Sequence, residues 1–168
     1  GTGQTIAMES PTYKKAYDLF RNLSNQVRIV EMDESGMRVD LLEQTDARVA
    51  YVMPSHQFPL GKVMPVGRRM QLLAWAAAKE DRYIIEDDYD SEFRYKGKPI
   101  PALQGYDRAE RVIYIGTFSK SIAPAIRVSY LVLPKSLLAL YRERGRVISS
   151  TVSRVDQRII AGFLDGGY

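Results

Sequence analysis

Short runs of β-branched and aromatic residues recur along the chain, and segments with the apolar spacing of a helix separate several of them. These runs predict six strands, at residues 5–8, 27–31, 49–53, 83–85, 112–115 and 128–133. Alternation of strands with helices is typical of a largely parallel sheet that is covered on both faces. The pattern therefore predicts an α/β fold with three layers, α/β/α, around a mostly parallel central sheet.

Four segments have the apolar periodicity of helices, at residues 12–22, 66–79, 136–146 and 153–164. The second is the clearest, and its apolar side is predicted to consist of Met70, Leu73, Trp75, Ala76 and Ala77. For Met70 and Trp75 we expect packing in the core rather than contact with a cofactor. The sequence contains no internal repeat or long linker, so a single domain over residues 1–168 is expected.

The composition narrows the functional classes. With 45% hydrophobic and 26% charged residues, the chain has the composition of one ordinary globular domain. Its 24 basic and 20 acidic residues form a mixed surface, which gives little support to nucleic-acid binding by this chain itself. Cysteine is absent and His56 is the only histidine, so neither a disulfide framework nor a metal site is expected.

The sequence also favours a cytoplasmic protein that does not associate with membranes. No apolar stretch reaches the ~20 residues that a membrane helix needs. The first twenty residues lack the basic start and the apolar run of a signal peptide. A reducing compartment is the natural expectation for a chain without cysteine.

Polar side chains follow three of the predicted strands, at the edge of the sheet where ligands of open α/β folds bind. Residues 54–59 (PSHQFP) follow the third strand, residues 86–90 (EDDYD) the fourth, and residues 116–121 (GTFSKS) the fifth. Acidic residues after a strand are commonly helix caps, and a lone lysine in a loop is usually a surface residue. The combination of the three segments is more specific than any one of them.

The combined segments supply the parts that pyridoxal phosphate chemistry requires. Lys120 offers an amine that can form a Schiff base and later move protons, and a carboxylate from the neighbouring strand end would keep the pyridine nitrogen protonated. Hydroxyl groups lie beside the amine, and Arg127 follows seven residues later, so that together they could hold a phosphate. These residues predict a pyridoxal-phosphate site centred on Lys120.

The same segments carry a resemblance to a known family. Residues 84–93 (IIEDDYDSEF) and 116–121 (GTFSKS), with Arg127 beyond, resemble the aminotransferase-like domain of MocR-type, or GabR-like, bacterial regulators of the GntR family. These domains belong to fold type I of the pyridoxal-phosphate enzymes. The likeness runs from residues 7–13 (AMESPTY) through 54–59 to the glycine-rich end, and the pairing of EDDYDSEF with TFSKS is far more specific than either half.

The resemblance implies a role for individual residues around the cofactor ring. Lys120 matches the lysine that forms the internal aldimine, Asp87 the carboxylate at the pyridine nitrogen, and Tyr89 the phenol near the ring hydroxyl. Tyr13 matches the aromatic residue that stacks on the ring. The alternative for Tyr13 is a helix residue that packs on the sheet.

Other matches concern the phosphate and the substrate. Thr117, Ser119 and Arg127 match phosphate-binding positions. His56 lies where related enzymes have an asparagine-containing loop that reaches the cofactor. That asparagine is absent here, and a cofactor contact from His56 is an expectation. Lys15 stands where relatives have an arginine for the substrate carboxylate, and lysine keeps the charge without the planar geometry.

The resemblance also implies a function for the longer protein. Family members begin earlier, with a winged helix-turn-helix that binds DNA, and continue into a small domain. We therefore expect residues 1–168 to be the central part of the pyridoxal-phosphate-binding major domain of such a protein. That parent is expected to be a homodimer that senses an amine or amino acid and contacts DNA only through its other domain.

Two alternatives to the regulator stay open on the sequence alone. The first is a piece of a catalytically active class I/II aminotransferase, in which the chemistry of Lys120 and Asp87 would be the same. The second is a nucleotide-binding or purely structural α/β module. That module is disfavoured because no Gly-x-Gly-x-x-Gly follows a strand, and residues 61–63 lack the rest of a P-loop.

Overall fold

The computed structural model describes residues 3–23, 25–90, 101–120, 122–123, 125–145 and 152–167. The last three residues of the EDDYDSEF motif, Ser121, Arg146 and the terminal Tyr168 lie outside the described residues. In chain order the elements are β1 (Thr5–Ser10), α1 (Lys14–Asn22), β2 (Gln26–Asp33), β3 (Gly36–Met37), α2 (Val39–Glu43), β4 (Val49–Val52), α3 (Val66–Ala77), β5 (Tyr83–Asp88), α4 (Leu103–Tyr106), β6 (Val112–Thr117), β7 (Ser129–Val132), α5 (Lys135–Gly145) and α6 (Arg154–Asp165).

Within the described residues the strands form one sheet of seven in the order β3-β2-β1-β4-β5-β6-β7. The pairings of β1 with β2, β1 with β4, β4 with β5 and β5 with β6 are parallel, while β3 and β7 pair antiparallel at the two edges. The prediction of a mostly parallel sheet is confirmed, and each of the six predicted strands is present. The two-residue strand β3 was not predicted, because it is too short to show a periodic pattern.

Hydrophobic side chains pack on both faces of the sheet, as the three-layer prediction requires. On one face, helices α2, α3 and α4 enclose a core of Ala7, Val30, Met37, Leu42, Ala50, Val52, Leu72, Trp75, Ile84, Leu103 and Val112. On the other face, Ile6, Met8, Tyr51 and Met53 pack against residues of α1. Consecutive residues of β1 thus enter opposite layers, as the alternation of side chains along a strand dictates.

The layers thin towards β7. All four residues of β7 are exposed, and every residue of α5 is at least partly exposed. In the part of the chain that the structure describes, no helix combines the length and the apolar character that crossing a bilayer requires.

The buried side of α3 differs from the predicted one. Its buried residues are Arg69, Leu72, Trp75 and Ala76. The expectation for Trp75 is confirmed, since only 1% of its surface is exposed, but the expectation for Met70 is wrong, since 38% of its surface is exposed. Ala77 is also exposed. Arg69 occupies one of the buried positions, and the buried side of α3 therefore lies away from Met70.

Arg69 is buried because backbone carbonyls satisfy its guanidinium group. Its Nε donates to the carbonyl oxygen of Met64, Nη1 to that of Pro101 and Nη2 to that of Pro54, each at 2.9 Å. A charged side chain is tolerated in a core only when its donors are paired in this way. Arg69 therefore ties the start of α3 to the loop after β4 and to the segment before α4.

A second buried charged residue is Glu9, at the carboxyl end of β1, with 1% of its surface exposed. Neither of its carboxyl oxygens has a well-formed hydrogen bond to a described residue. Burial raises the pKa of the Glu9 carboxyl from 4.5 to about 7, and the nearby backbone amides of Met53 and Met37 and the Gln57 side chain oppose this rise only in part. The Gln57 amide is already engaged elsewhere, since it donates to the Pro11 carbonyl and accepts from the Leu60 amide.

Candidate active site

A cavity of about 570 Å³ lies at the carboxyl ends of β5 and β6. Seven of the eight residues predicted for the cofactor site line it: Tyr13, Asp87, Tyr89, Thr117, Ser119, Lys120 and Arg127. The eighth, His56, lies beside the cavity and stacks on Tyr89, with ring centroids 5.7 Å apart and an angle of 20° between the rings. Residues separated by more than a hundred positions thus meet at the sheet edge that the sequence predicts.

The parallel register places Asp87 on the α1 side of the sheet. Asp87 pairs with Ile115 of β6, and β5 residues alternate between the two faces. The Tyr51 hydroxyl donates a hydrogen bond to Asp87 Oδ2. Burial is the main cause that raises the pKa of the Asp87 carboxyl, and the hydrogen bond from Tyr51 opposes it. Burial and the nearby Asp87 charge also raise the pKa of the Tyr51 phenol.

The neighbouring acids of the motif have structural partners. Glu86 accepts hydrogen bonds from the backbone amides of Leu103 at 2.7 Å and Gln104 at 2.8 Å, and so caps the start of α4. Burial raises the pKa of the Glu86 carboxyl, and these two hydrogen bonds oppose the rise. Asp88 borders the cavity, but its Oδ2 accepts a hydrogen bond from the Tyr114 hydroxyl at 2.9 Å.

Strand β6 requires a glycine near its carboxyl end. The ring of Tyr130 lies across Gly116, so that a Cβ on Gly116 would overlap the ring atom Cζ. Gly116 and Tyr130 are paired in the antiparallel ladder of β6 and β7. Close packing of the two strands therefore depends on the missing side chain, which brings β7 and the segment before it against the cavity.

The two loop hydroxyls hold the loop in place. Ser119 Oγ donates to the Ile126 carbonyl at 2.8 Å, and Thr117 Oγ1 donates to the Val128 carbonyl at 3.3 Å. The Ser119 amide in turn donates to Thr117 Oγ1 at 3.2 Å. The residues that flank Arg127 are thus bound to the loop that carries Lys120, and this brings the guanidinium and the amine to one cavity.

Lys120 lies at the rim of the cavity and is half exposed. Its Nζ is 3.2 Å from Asp90 Oδ2 and 4.7 Å from the centroid of the Tyr89 ring. His56 Nδ1 contacts the same oxygen of Asp90 at 2.7 Å. Sequence reasoning did not single out Asp90, although it belongs to the EDDYDSEF motif.

Tyr13 lies between the cavity and the core. It lines the cavity, and it also packs against the core on the α1 side of the sheet. Its ring meets that of Phe58 edge to face, with centroids 5.7 Å apart. Phe58, in the PSHQFP segment after β4, also lines the cavity.

The side chains present fit pyridoxal phosphate. One cavity holds an amine, a partly buried carboxyl that accepts a hydrogen bond, an arginine with two hydroxyl groups, and aromatic rings at its rim. A phosphate anion requires donors such as those of Arg127, Thr117 and Ser119. A protonated pyridine nitrogen requires a carboxylate acceptor such as that of Asp87.

Comparison with known proteins identifies the relatives of this chain. The family model for aminotransferase class I and II matches residues 1–167. The chain is 43% identical to an uncharacterized HTH-type transcriptional regulator, YdeL, of Bacillus subtilis over 97% of its residues, and 35% identical to the probable rhizopine catabolism regulatory protein MocR of Rhizobium meliloti over 99%. It is also similar to the crystal structure of a multiple substrate aminotransferase from Thermococcus profundus, with 33% identity and a TM-score of 0.89 over the whole chain.

The chain spans 35% and 34% of the two regulators and 44% of the aminotransferase. The matches confirm the resemblance to regulators with an aminotransferase-like domain and the assignment to fold type I. They also imply pyridoxal phosphate as the cofactor. The chain belongs to the aminotransferase class I and II family.

Proposed function

We propose that this chain is the cofactor-binding part of an aminotransferase-like domain that senses an amine or amino acid in a bacterial transcription regulator. The observation that carries the proposal is the meeting of Lys120, Asp87 and Arg127 in one cavity, in a chain whose relatives include HTH-type regulators. DNA would be contacted through another part of the protein. A homodimer in the cytoplasm is part of the proposal.

Lys120 is the residue that attaches the cofactor, because its Nζ lies at the rim of the cavity over the Tyr89 ring. When bound, pyridoxal phosphate supplies an aldehyde that forms a Schiff base and a ring that accepts electrons. Asp87 would hold the ring nitrogen. Burial raises the pKa of the Asp87 carboxyl, and the hydrogen bond from Tyr51 holds it in one orientation.

The remaining cavity residues hold and orient the cofactor. Arg127 would bind the phosphate. The Thr117 and Ser119 hydroxyls, which donate to the Val128 and Ile126 carbonyls, would donate to it after turning away from those carbonyls. The Tyr89 phenol would lie beside the ring hydroxyl, and Tyr13, which immediately precedes α1, would cover one face of the ring. His56 contributes indirectly, through its contacts with Tyr89 and Asp90.

A second candidate function is transamination. The similarity to a solved aminotransferase favours it, since the structural match covers the whole chain. The two functions differ in the step after amine binding. A sensor binds the amine and returns it, whereas an enzyme transfers the amino group to the cofactor and then to an oxo acid. A half-reaction measured with candidate amino acids on the full-length protein separates them.

Absorbance spectroscopy of the full-length natural chain tests the proposal. Added pyridoxal phosphate should give the visible band of a protonated imine, and amines that are sensed should change this band. Lys120→Ala should abolish the band, whereas the matched control Lys135→Ala should keep it, because Lys135 is a solvent-exposed lysine paired with Glu110. A band that persists in Lys120→Ala would refute the assignment.

A further inference from the structure

Asp90 contacts two functional side chains from two different loops. Its Oδ2 is 3.2 Å from Lys120 Nζ, in the loop after β6, and 2.7 Å from His56 Nδ1, in the loop after β4. The Asp90 side chain is 13% exposed, whereas that of Lys120 is 49% exposed. The carboxylate is therefore the fixed member of the pair, and the lysine is the member that can move.

The position of Asp90 is fixed from the side of His56. The His56 ring stacks on Tyr89, the residue that precedes Asp90. The backbone of Gly61 also lies close to His56, since a Cβ on Gly61 would be 3.4 Å from Nε2. The second carboxylate oxygen of Asp90, Oδ1, is buried without a hydrogen-bond partner among the described residues. The described contacts of the Asp90 carboxylate are therefore those of Oδ2, with Lys120 and His56.

We propose that Asp90 is a positioning residue for Lys120. It holds Nζ over the Tyr89 ring at the rim of the cavity, so that the amine meets the aldehyde carbon of the entering cofactor. The contact is available to the ammonium ion and to the neutral amine, because both donate an N–H to the carboxylate. This inference rests on the proposed covalent role of Lys120.

The step that Asp90 assists has a simple balance. An ammonium group first loses a proton to solvent, which the half-exposed Lys120 side chain can reach. Nζ then bonds to the aldehyde carbon, and the aldehyde oxygen leaves as water with the two protons of the neutral amine. Asp90 changes only the fraction of time that Nζ spends near the aldehyde.

The size of the effect follows from the exposure of the pair. A solvent-accessible ion pair holds two side chains together by at most about 1 kcal/mol, which corresponds to about a fivefold change in the population of the held state. Asp90→Asn should therefore slow covalent capture of pyridoxal phosphate by about fivefold. Noncovalent affinity should stay unchanged, because Asp90 is not among the residues that line the cavity in the described part of the chain.

The experiment compares two measurements on the full-length natural chain. The first is the rate at which the visible imine band forms after rapid mixing with pyridoxal phosphate. The second is the affinity for pyridoxine 5′-phosphate, which has the ring and the phosphate but no aldehyde. His56→Phe keeps an aromatic ring against Tyr89, removes the Nδ1 contact, and should give an intermediate slowing. Asp46→Asn is the matched control. Asp46 pairs with Arg28 and precedes β4, so it lies at the amino ends of the parallel strands, whereas the cavity lies at their carboxyl ends.

Slower capture in Asp90→Asn with unchanged affinity for pyridoxine 5′-phosphate, and normal values in Asp46→Asn, would support the inference. Capture at the wild-type rate, faster capture, or an equal loss of rate and affinity would overturn it. Thermal melting of each variant separates a local effect from unfolding. Failure of the wild-type protein to capture the cofactor would instead contradict the proposed function itself.

Discussion

Replacement of Glu9 by glutamine tests how the buried edge of the sheet responds to pH. The Glu9 carboxyl is 1% exposed at the carboxyl end of β1, and its oxygens lack well-formed hydrogen bonds to described residues. In the unfolded chain the same carboxyl is hydrated and titrates near its ordinary pKa of 4.5, whereas burial raises the pKa in the folded chain to about 7. Glutamine keeps the shape of the side chain and removes the titration.

The sign and the size of the effect follow from these two values. Because the folded pKa is the higher one, the folded state binds the proton more tightly, and the penalty for the charged form appears as pH rises. At about 1.4 kcal/mol for each pKa unit, the free energy of unfolding should fall by about 3 kcal/mol as pH rises from below 4.5 to above 7. The decrease in the free energy of unfolding should be complete near pH 7. Below the pKa of Glu9 in the unfolded chain, no decrease should be seen.

Urea unfolding of the wild type and of Glu9→Gln, from about pH 4 to about pH 8, measures this difference. The readout is the change with pH of the gap between the two proteins, since other titrating groups cancel in the comparison. Asp46→Asn is the control. Its hydrogen bond with Arg28 lowers the pKa of the Asp46 carboxyl, so that its contribution should stay constant above about pH 4. A constant gap between wild type and Glu9→Gln across this range would refute the reasoning.

Two further substitutions address the cavity. Asp87→Ala should weaken cofactor binding and abolish any transamination half-reaction, because the carboxyl at the pyridine nitrogen is lost; normal half-reaction kinetics would remove Asp87 from its role. Gly116→Ala should destabilise the fold by about 1–3 kcal/mol, because the new Cβ meets the Tyr130 ring, whereas Gly105→Ala should be nearly neutral, since its nearest neighbour, Pro101 Cβ, would be 3.9 Å away. Chemical denaturation measures both glycine variants, and equal stability of the two would contradict the steric argument.

The sequence was sufficient to predict six of the seven described strands and most of the residues that line the cavity. Polar residues after three parallel strands must meet at one edge, so Asp87, Lys120 and Arg127 could be placed together without coordinates. Which side of α3 is buried could not be predicted in the same way. An arginine in a helical pattern predicts an exposed position. Arg69 lies in the core because its guanidinium group donates to the carbonyls of Met64, Pro54 and Pro101.

The partners of the site residues were the other part that sequence reasoning missed. Tyr51 faces Asp87 because β4 and β5 pair in parallel register, with Tyr51 opposite Ile85. Its position in a buried strand resembled that of any core aromatic residue. Asp90 could be distinguished from Glu86 and Asp88 only through contacts with two side chains on other loops, far from it in the sequence. The contacts of Tyr51 and Asp90 therefore depend on strand register and loop geometry, which the residue types alone do not predict.

Covalent attachment at Lys120 is the central claim, and chemical trapping tests it most directly. The full-length natural chain is loaded with pyridoxal phosphate, reduced with borohydride and digested, and the modified peptide is identified by mass spectrometry. We predict a phosphopyridoxyl group on Lys120, in the peptide that contains GTFSKS. Modification of another lysine, or of none, would contradict the claim.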